Sequence, residues 1–422
     1  MDYIRLGDIC TKVCSGGTPT SSNPAYYNGN IPWLNTNEVN FCDIYSTNKT
    51  ISEEGLKNSA AKYIPQNTVI VAMYGVTAGK CAIAKIPLTT NQACCNLVIN
   101  KEKADYRYVY YYLKQQSESL NKLAIGGAQQ NLNALTIKKF KIALPPLLTQ
   151  QKICSILSSY DRLIENNTRR IRLLEQMAEN LYKEWFVRFR FPEHENVEMV
   201  KSKYGRIPSE FNIIKMQDVF DYYVGGGWGQ EVMSDDFSEE ASVIRGADFP
   251  NVSQYDISTC PRRFHKKSNY RSRQLEDGDI VMEISGGTSE QPVGRTILVT
   301  QSLIDRFDNG KVICASFCKL IRLKKNVISS FFFYYWMKFL YDTRIINRFQ
   351  LQSTGIINFK FEPFLRKGDI MLPPMSVMNF FETHVVPIHK EMNKLAQQNT
   401  LLTRQRDLLL PRLMSGKLEV KS

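Results

Sequence analysis

Two long stretches of the chain repeat their apolar positions with helical spacing. The first covers about residues 149–191, just after Leu144-Pro145-Pro146, with Ile153, Leu157, Tyr160, Ile164, Ile171, Leu174, Ala178, Leu181 and Trp185 as its apolar positions. Steps of four and three alternate, which is a heptad seam, and polar Asn167 fills its one gap. Arg162, Glu165, Arg170, Arg172 and Glu179 lie off the seam. The second stretch covers about residues 376–414, just after Leu372-Pro373-Pro374, and its seam is Phe381, Val385, Ile388, Met392, Leu395, Asn399, Leu402, Leu409 and Leu413. Pro387 lacks an N–H and crowds the preceding turn, so the pattern predicts a kink there or a delayed start.

The two stretches read as copies. Asn166-Asn167-Thr168 corresponds to Gln398-Asn399-Thr400, and Pro145-Pro146 to Pro373-Pro374. The two offsets differ by four residues, about one helical turn, so the apolar face keeps its direction. The text before each helix repeats too. Leu6-Gly7-Asp8-Ile9 matches Met216-Gln217-Asp218-Val219, and Ser15-Gly16-Gly17 matches Gly225-Gly226-Gly227. Thr68-Val69-Ile70-Val71 matches Gly278-Asp279-Ile280-Val281, and Tyr111-Tyr112-Leu113-Lys114 matches Tyr335-Trp336-Met337-Lys338. Phe140-Lys141-Ile142-Ala143-Leu144 matches Gly368-Asp369-Ile370-Met371-Leu372. Landmarks in one order, twice, predict a tandem duplication: globular, helix, globular, helix.

Inside the globular halves, short β-branched and aromatic runs alternate with Gly, Asn, Pro and Ser. This predicts many short strands and large loops, with helices near residues 106–123 and 329–347. Residues 191–211, rich in charge and holding Pro192 and Pro208, read as a linker.

At 422 residues the chain suits two or three domains. Its 43% hydrophobic and 23% charged residues are globular values, which excludes collagen-like and low-complexity classes. No apolar run approaches the length of a spanning helix, and residues 1–5 form no signal-peptide core, so a cytoplasmic location is expected. The net charge of +13 favours a polyanionic partner. Residues 1–144 hold 15 basic and 9 acidic residues, whereas residues 192–372 hold 24 and 23. That near-neutral segment still carries Arg262-Arg263-Phe264-His265-Lys266-Lys267-Ser268-Asn269-Tyr270-Arg271-Ser272-Arg273, basic and aromatic with no acid. Such a block can pair phosphates and stack on bases, although charge runs are commonly solvated loops.

No catalytic apparatus is legible. The ten cysteines and four histidines give no zinc-ribbon or His-Glu-x-x-His spacing, and the cysteines of apolar strand-like text read as buried reduced thiols. Gly75-Val76-Thr77-Ala78-Gly79-Lys80-Cys81 has three residues between its glycines where a phosphate loop has four, and Cys81 stands where Ser or Thr would hold magnesium. Asn23-Pro24-Ala25-Tyr26 lacks the second proline of the adenine-methyltransferase motif. Asp277, Asp279 and Glu283 have no Lys at nuclease spacing, and Asp277-Gly278 reads as a turn into a strand.

What remains is binding. Glycine-flanked loops carry amides and hydroxyls that can read base edges, Gln and Asn on adenine and Arg on guanine. The residues assigned to DNA contact in the first half are Thr18, Thr20, Asn35, Asn37, Tyr74, Lys80, Gln129, Gln130 and Asn131. In the second half they are Trp228, Arg245, Arg262, Arg263, Lys266, Lys267, Arg271, Arg295, Gln352, Thr354 and Asn358. Lys80 and Arg295 each follow a glycine at the end of equivalent turns.

These features together resemble the specificity subunit of type I restriction-modification systems, over nearly the whole chain. The opening Leu6-Gly7-Asp8, Ser15-Gly16-Gly17-Thr18-Pro19-Thr20 and the run from Asn23-Pro24-Ala25-Tyr26 to Ile31-Pro32-Trp33-Leu34 look like the start of a target recognition domain. Leu144-Pro145-Pro146-Leu147 with Gln150-Gln151-Lys152-Ile153 looks like the beginning of the first spacer helix, and Leu181-Tyr182-Lys183-Glu184-Trp185-Phe186 through Phe191-Pro192 like its end. Leu409-Leu410-Pro411-Arg412-Leu413-Met414-Ser415-Gly416-Lys417-Leu418 looks like the family's usual ending. Gln150-Gln151 stands where the family often has Glu-Gln, and Ser376-Val377-Met378-Asn379 has lost that motif, so the two partner contacts need not be alike.

The resemblance implies an α+β fold. Target recognition domain 1 (residues 1–146) and target recognition domain 2 (212–374) are joined by spacer helix 1 (147–191), a linker (192–211) and spacer helix 2 (375–422). The helices pair as an antiparallel coiled coil with pseudo-twofold symmetry. It implies a bipartite, asymmetric target in double-stranded DNA, two modification subunits that methylate adenine, and two restriction subunits that cleave. S-adenosylmethionine, ATP and magnesium belong on those partners, with no cofactor or metal on this chain and no membrane. About 40 helical residues span roughly 60 Å, enough to set a spacing of more than one DNA turn. Asn167 and Asn399, at matching mid-helix positions, are assigned to register and expected to meet or nearly meet. The competing expectation is a coiled-coil adaptor without sequence-specific DNA binding, which would not weaken steeply as salt rises.

Overall fold

The structure, a computed structural model, describes residues 2–123, 131–288, 291–353 and 356–420. The chain forms two compact units, one of Met1–Leu163 with Leu401–Ser422 and one of Ile164–Thr400.

In the first unit, Asp2–Arg5 pairs antiparallel with Lys141–Leu144 and ties the start of the domain to its end. A five-stranded sheet follows the order Cys10–Ser15, Cys94–Ile99, Val69–Ala72, Cys81–Ala84 and Asp43–Ile44. Its central strands are apolar without alternation because both faces are covered. Val69, Val71, Cys81 and Ile83 face a core shared with Tyr108 and Leu113, whereas Ile70, Ala72, Ala82 and Ala84 pack on Leu34, Val39 and Leu88. A second sheet places Tyr27–Leu34 between Lys49–Ile51 and Thr89–Thr90, the latter pair parallel.

The second unit repeats this plan on different residues. Asn212–Lys215 pairs with Asp369–Leu372. The main sheet is ordered Phe220–Gly225, Cys318–Leu323, Ile280–Glu283 and Thr296–Leu298, and Glu239–Ile244 lies between Arg262–His265 and the parallel strand Val312–Cys314. The second unit also holds a three-stranded sheet of Ser285–Gly287, Ile356–Phe359 and Gln350–Ser353, in that order. The glycine runs are equivalent for a steric reason. A Cβ on Gly16 would lie 2.0 Å from the Thr90 carbonyl oxygen, and one on Gly226 would lie 2.1 Å from that of Ala315.

The long helices are Leu147–Tyr182 and Met375–Met414. Every seam residue read from the sequence is buried or half-buried. In the first unit Ile153, Leu157, Leu410 and Leu413 share the core of the sheet. In the second, Ala178, Tyr182 and Trp185 join Phe332, Phe381 and Val385. There the helices run antiparallel: Asn167 bonds Gln398, and Arg170 further along pairs with Glu391. The first helix closes with a wider π-helical turn, Lys183–Val187, that turns the consecutive rings of Trp185 and Phe186 inward.

Two expectations are corrected. Pro387 does not delay the second helix, which begins at Met375 and passes through it. Met378, Phe381 and Val385, all buried in the helix before Pro387, anchor it and outweigh one missing hydrogen bond, and Pro387 lies on the exposed side. Residues 192–211 are not a featureless linker either: they form the hairpin Met199–Ser202 with Gly205–Pro208. Phe191, Ile207 and Phe211 are buried, and the Phe191 and Phe211 rings stack at 5.5 Å. Three apolar anchors scattered among charges leave no period to read.

The helix expected over residues 106–123 is divided into Tyr106–Gln115 and Ser117–Asn121, and its counterpart is Ser330–Asp342. All ten cysteines are free thiols, and burial pushes the Cys95 and Cys314 thiols up to about 12. Among the described residues no three His, Cys, Asp or Glu groups are placed to hold a metal ion, and no helix is long and apolar enough to cross a membrane.

Candidate nucleic-acid interface

In the first unit the strand Tyr27–Leu34 runs into a tight turn, Thr36–Glu38, and Glu38 accepts a hydrogen bond from the Asn35 backbone N–H at 3.0 Å. The strand Val69–Ala72 runs into a second turn, Gly75–Thr77. Thr77 Oγ1 donates to the Thr36 carbonyl at 3.0 Å and locks the two turns together. Tyr74 forms an antiparallel bridge with Asn131. Lys80 donates to Asn40 Oδ1 at 2.8 Å with its ammonium 6.0 Å from the Phe41 ring centroid. Asn91 donates to Asn35 Oδ1 at 3.4 Å, and neighbouring Gln92 bonds Thr18. One connected loop cluster therefore gathers Thr18, Asn35, Asn37, Tyr74, Lys80 and Asn131. Thr20 is exposed on the adjoining loop, where its carbonyl accepts from the Asn23 N–H. Gln129 and Gln130 lie outside the described residues.

The second unit builds the same cluster with other chemistry. Arg245 takes the place of Asn35, and its backbone N–H donates to Asp248 at 2.9 Å. The Gly246 carbonyl, in the place of Thr36, accepts from Arg295 Nη2 at 2.8 Å. Ser285 takes the place of Tyr74 and pairs with Asn358, whose Oδ1 accepts from Ser285 Oγ at 2.6 Å.

Not every basic residue in this cluster faces outward. Arg295 makes a two-pronged ion pair with Glu283 at 2.8 and 2.6 Å, and only 17% of its side chain is exposed. Arg245 is held by Asp248 and the Thr259 carbonyl, and the Asp248 hydrogen bonds raise its pKa. Asp279 is paired with Arg322, and the Asp277 carboxylate accepts from the Gln301 N–H. The carboxylates weighed as a nuclease set are thus occupied within the fold.

The basic block spans the edge strand Arg262–His265 and the helix Lys267–Arg273. Arg263 stacks its guanidinium 4.7 Å from the Trp228 ring and pairs with Glu231. Arg262 pairs with Asp308, and Lys266 reaches Asp236 at 3.5 Å. Lys267 and Arg271 are exposed with no ion-pair partner among the described residues. Arg273 donates to the Gly225 carbonyl at 2.9 Å, so the block adjoins the glycine run. Gln352 lies in the strand Gln350–Ser353, and Thr354 is outside the described residues.

Asn167 is 7% exposed, and its Nδ2 donates to Gln398 Oε1 at 3.3 Å. Asn399 Nδ2 donates to Thr168 Oγ1 at 3.2 Å. Each asparagine bonds a neighbour of the other.

Residues 1–176 match the family model described as the type I restriction modification DNA specificity domain. Over its whole length the chain is 25% identical to the type I restriction enzyme MjaIX specificity subunit of Methanocaldococcus jannaschii, covering 94% of that protein. Over its whole length the chain is thus similar in sequence to a type I restriction-modification specificity subunit. A second specificity subunit, that of EcoR124I/EcoR124II from Escherichia coli, is 28% identical over 47% of this chain and 50% of its own length. The crystal structure of the type I restriction-modification S subunit from M. genitalium has the same fold, with a TM-score of 0.53 at 16% identity over 98% of this chain and 95% of that one. The loop cluster of the first unit thus lies within the stretch that matches the DNA specificity domain model.

Sequence reasoning passed over Asn91 and Gln92, which tie Thr18 to Asn35. Their signal was a polar run, Thr89-Thr90-Asn91-Gln92, between apolar strands. It also passed over Val76, whose side chain is 98% exposed at the tip of the second turn.

Proposed function

We infer that this chain chooses the DNA address for a methylation and cleavage machine and carries no reaction itself. Each unit binds one half of a bipartite, asymmetric sequence through its loop cluster, and the basic block of the second unit pairs phosphates. Adenine methylation and cleavage belong to two modification and two restriction subunits, which hold S-adenosylmethionine, ATP and magnesium. The machine works in the cytoplasm. One observation carries the reading: the same three-loop cluster recurs at the same place in both units, with Asn35, Thr36 and Tyr74 in one and Arg245, Gly246 and Ser285 in the other. A repeated frame with changed side chains suits two readers of different words.

The test is to map methylated adenines in DNA from cells holding this chain with its partner subunits, then to repeat it with residues 1–144 replaced by those of another specificity subunit. One half of the motif is expected to change while the other half and the gap persist. Loss of both halves, or change in neither, would overturn the reading.

A further inference from the structure

Val76 is the most exposed of the large apolar side chains among the described residues, at 98%. It is presented by a built turn. The Ala78 N–H donates to the Gly75 carbonyl at 3.0 Å, the Gly79 N–H to that of Ala72 at 2.9 Å, and the Lys80 N–H to that of Thr77 at 2.9 Å. Gly75 at φ +74° and Gly79 at φ +81° supply the left-handed corners, and a Cβ on Gly75 would meet nothing within 4 Å. The turn is braced from the side by Thr77 on Thr36, and the bridge between Tyr74 and Asn131 holds its base. A β-branched side chain with few rotamers is thereby held rigidly in water. The fold does not need it there, since the equivalent turn of the second unit continues Ser285-Gly286-Gly287.

The surroundings say what it meets. Asn37 and Asn131 are exposed beside this turn, and Tyr74 is 41% exposed. Amide side chains recognise adenine, and the group that distinguishes its partner thymine in the major groove is the 5-methyl, which an apolar side chain contacts. We propose that Val76 is a specificity-determining residue whose isopropyl group packs on the 5-methyl of a thymine in the half-site bound by the first unit. The inference rests on the two-reader function above and adds a base class to one reader.

The test uses the full chain with its modification subunits and duplexes carrying the mapped target. Each thymine of the first half-site is replaced singly by uracil, which lacks the methyl. At one position wild-type affinity should fall about four-fold, the effect of one buried methyl. Val76→Ser and Val76→Asn, which present no methyl group, should bind the thymine duplex more weakly, and should not distinguish thymine from uracil at that position. A first half-site without A·T pairs, or variants that keep wild-type sensitivity to uracil, would overturn the proposal. So would variants that weaken subunit assembly but not DNA binding. If wild type shows no sequence dependence in that half, the two-reader function fails instead.

Discussion

Asn167 donates a hydrogen bond to Gln398, the residue before Asn399, rather than to Asn399 itself. Asn399 in turn donates to Thr168, the residue after Asn167, while its own Oδ1 is buried without a partner. The two polar layers are therefore offset by a residue and differ in quality. Gln398 is exposed and can return to water, and Thr168 Oγ1 still donates to the Ile164 carbonyl when Asn399 is gone.

This asymmetry predicts that Asn399→Leu raises stability by about 1–2 kcal/mol, because it removes an unsatisfied buried carbonyl. Asn167→Leu should gain less, since it gives up a formed bond. A seam asparagine typically exchanges stability for register. If the chain reads two half-sites as proposed, both variants should therefore direct their modification subunits to targets with a wider range of gaps between half-sites, even as their urea midpoints rise. A fall in midpoint for Asn399→Leu would contradict the account.

A buried histidine bridge makes the second unit sensitive to acid. His389 is fully enclosed: the Tyr255 hydroxyl lies 2.9 Å from its Nδ1 and the Tyr335 hydroxyl 2.8 Å from its Nε2. Phe331 and Tyr334 rings lie edge-on around it. Burial pulls its pKa from 6.5 down to about 4. The unfolded chain takes up the proton near 6.5 and the fold refuses it until about 4, so this stability is complete above pH 6.5 and is lost as pH falls toward 4. Between about pH 8 and about pH 5 the loss from this one group should be on the order of 2 kcal/mol. His389→Gln should be weaker at neutral pH and lose less on acidification, by urea unfolding at both pH values.

The equivalent position of the first unit carries a charge instead. Tyr111 corresponds to Tyr335, and its hydroxyl bonds Asp161 of the first long helix. Arg406 of the second long helix donates to the same carboxylate at 2.6 Å with only 12% of its side chain exposed. Asp161→Asn leaves Arg406 only its neighbour Asp407 as a carboxylate partner and should cost about 1–2 kcal/mol, and Asp161→Asn with Arg406→Met should recover much of it. Thermal unfolding of the two variants checks the order.

The repeat was legible because burial writes itself as periodicity. The seams through Leu157 and Met392, the paired Pro-Pro starts and the equivalence of Gly16 with Gly226 all express packing constraints that act locally along the chain. Asp161 and His389, each within its own unit, were not legible. Neither residue type fits an apolar seam, and the partners that justify them, Tyr111, Arg406, Tyr255 and Tyr335, are distant in sequence. The candidate interface divided in the same way. Glycine-flanked turns marked where the loops are, but Lys80 and Arg295 looked alike until Glu283 was seen beside the second. Charge in a sequence does not say which way it points.

That difference gives the last prediction. Arg295 faces Glu283, which is 5% exposed, so Arg295→Ala leaves a buried carboxylate alone and should destabilise by about 3 kcal/mol. Lys80 is half-buried, and among the described residues its ammonium bonds only the exposed side chain of Asn40, at the rim of the first cluster. Lys80→Ala should leave the urea midpoint within about 0.5 kcal/mol of wild type. If Lys80 pairs a phosphate, its loss should weaken binding alike on target and random DNA and reduce the slope of log affinity against log salt by about one. A change of base preference at one position, with the salt slope unmoved, would make Lys80 a base reader instead. Measuring both variants at two salt concentrations separates a residue that holds the fold from one that holds the DNA.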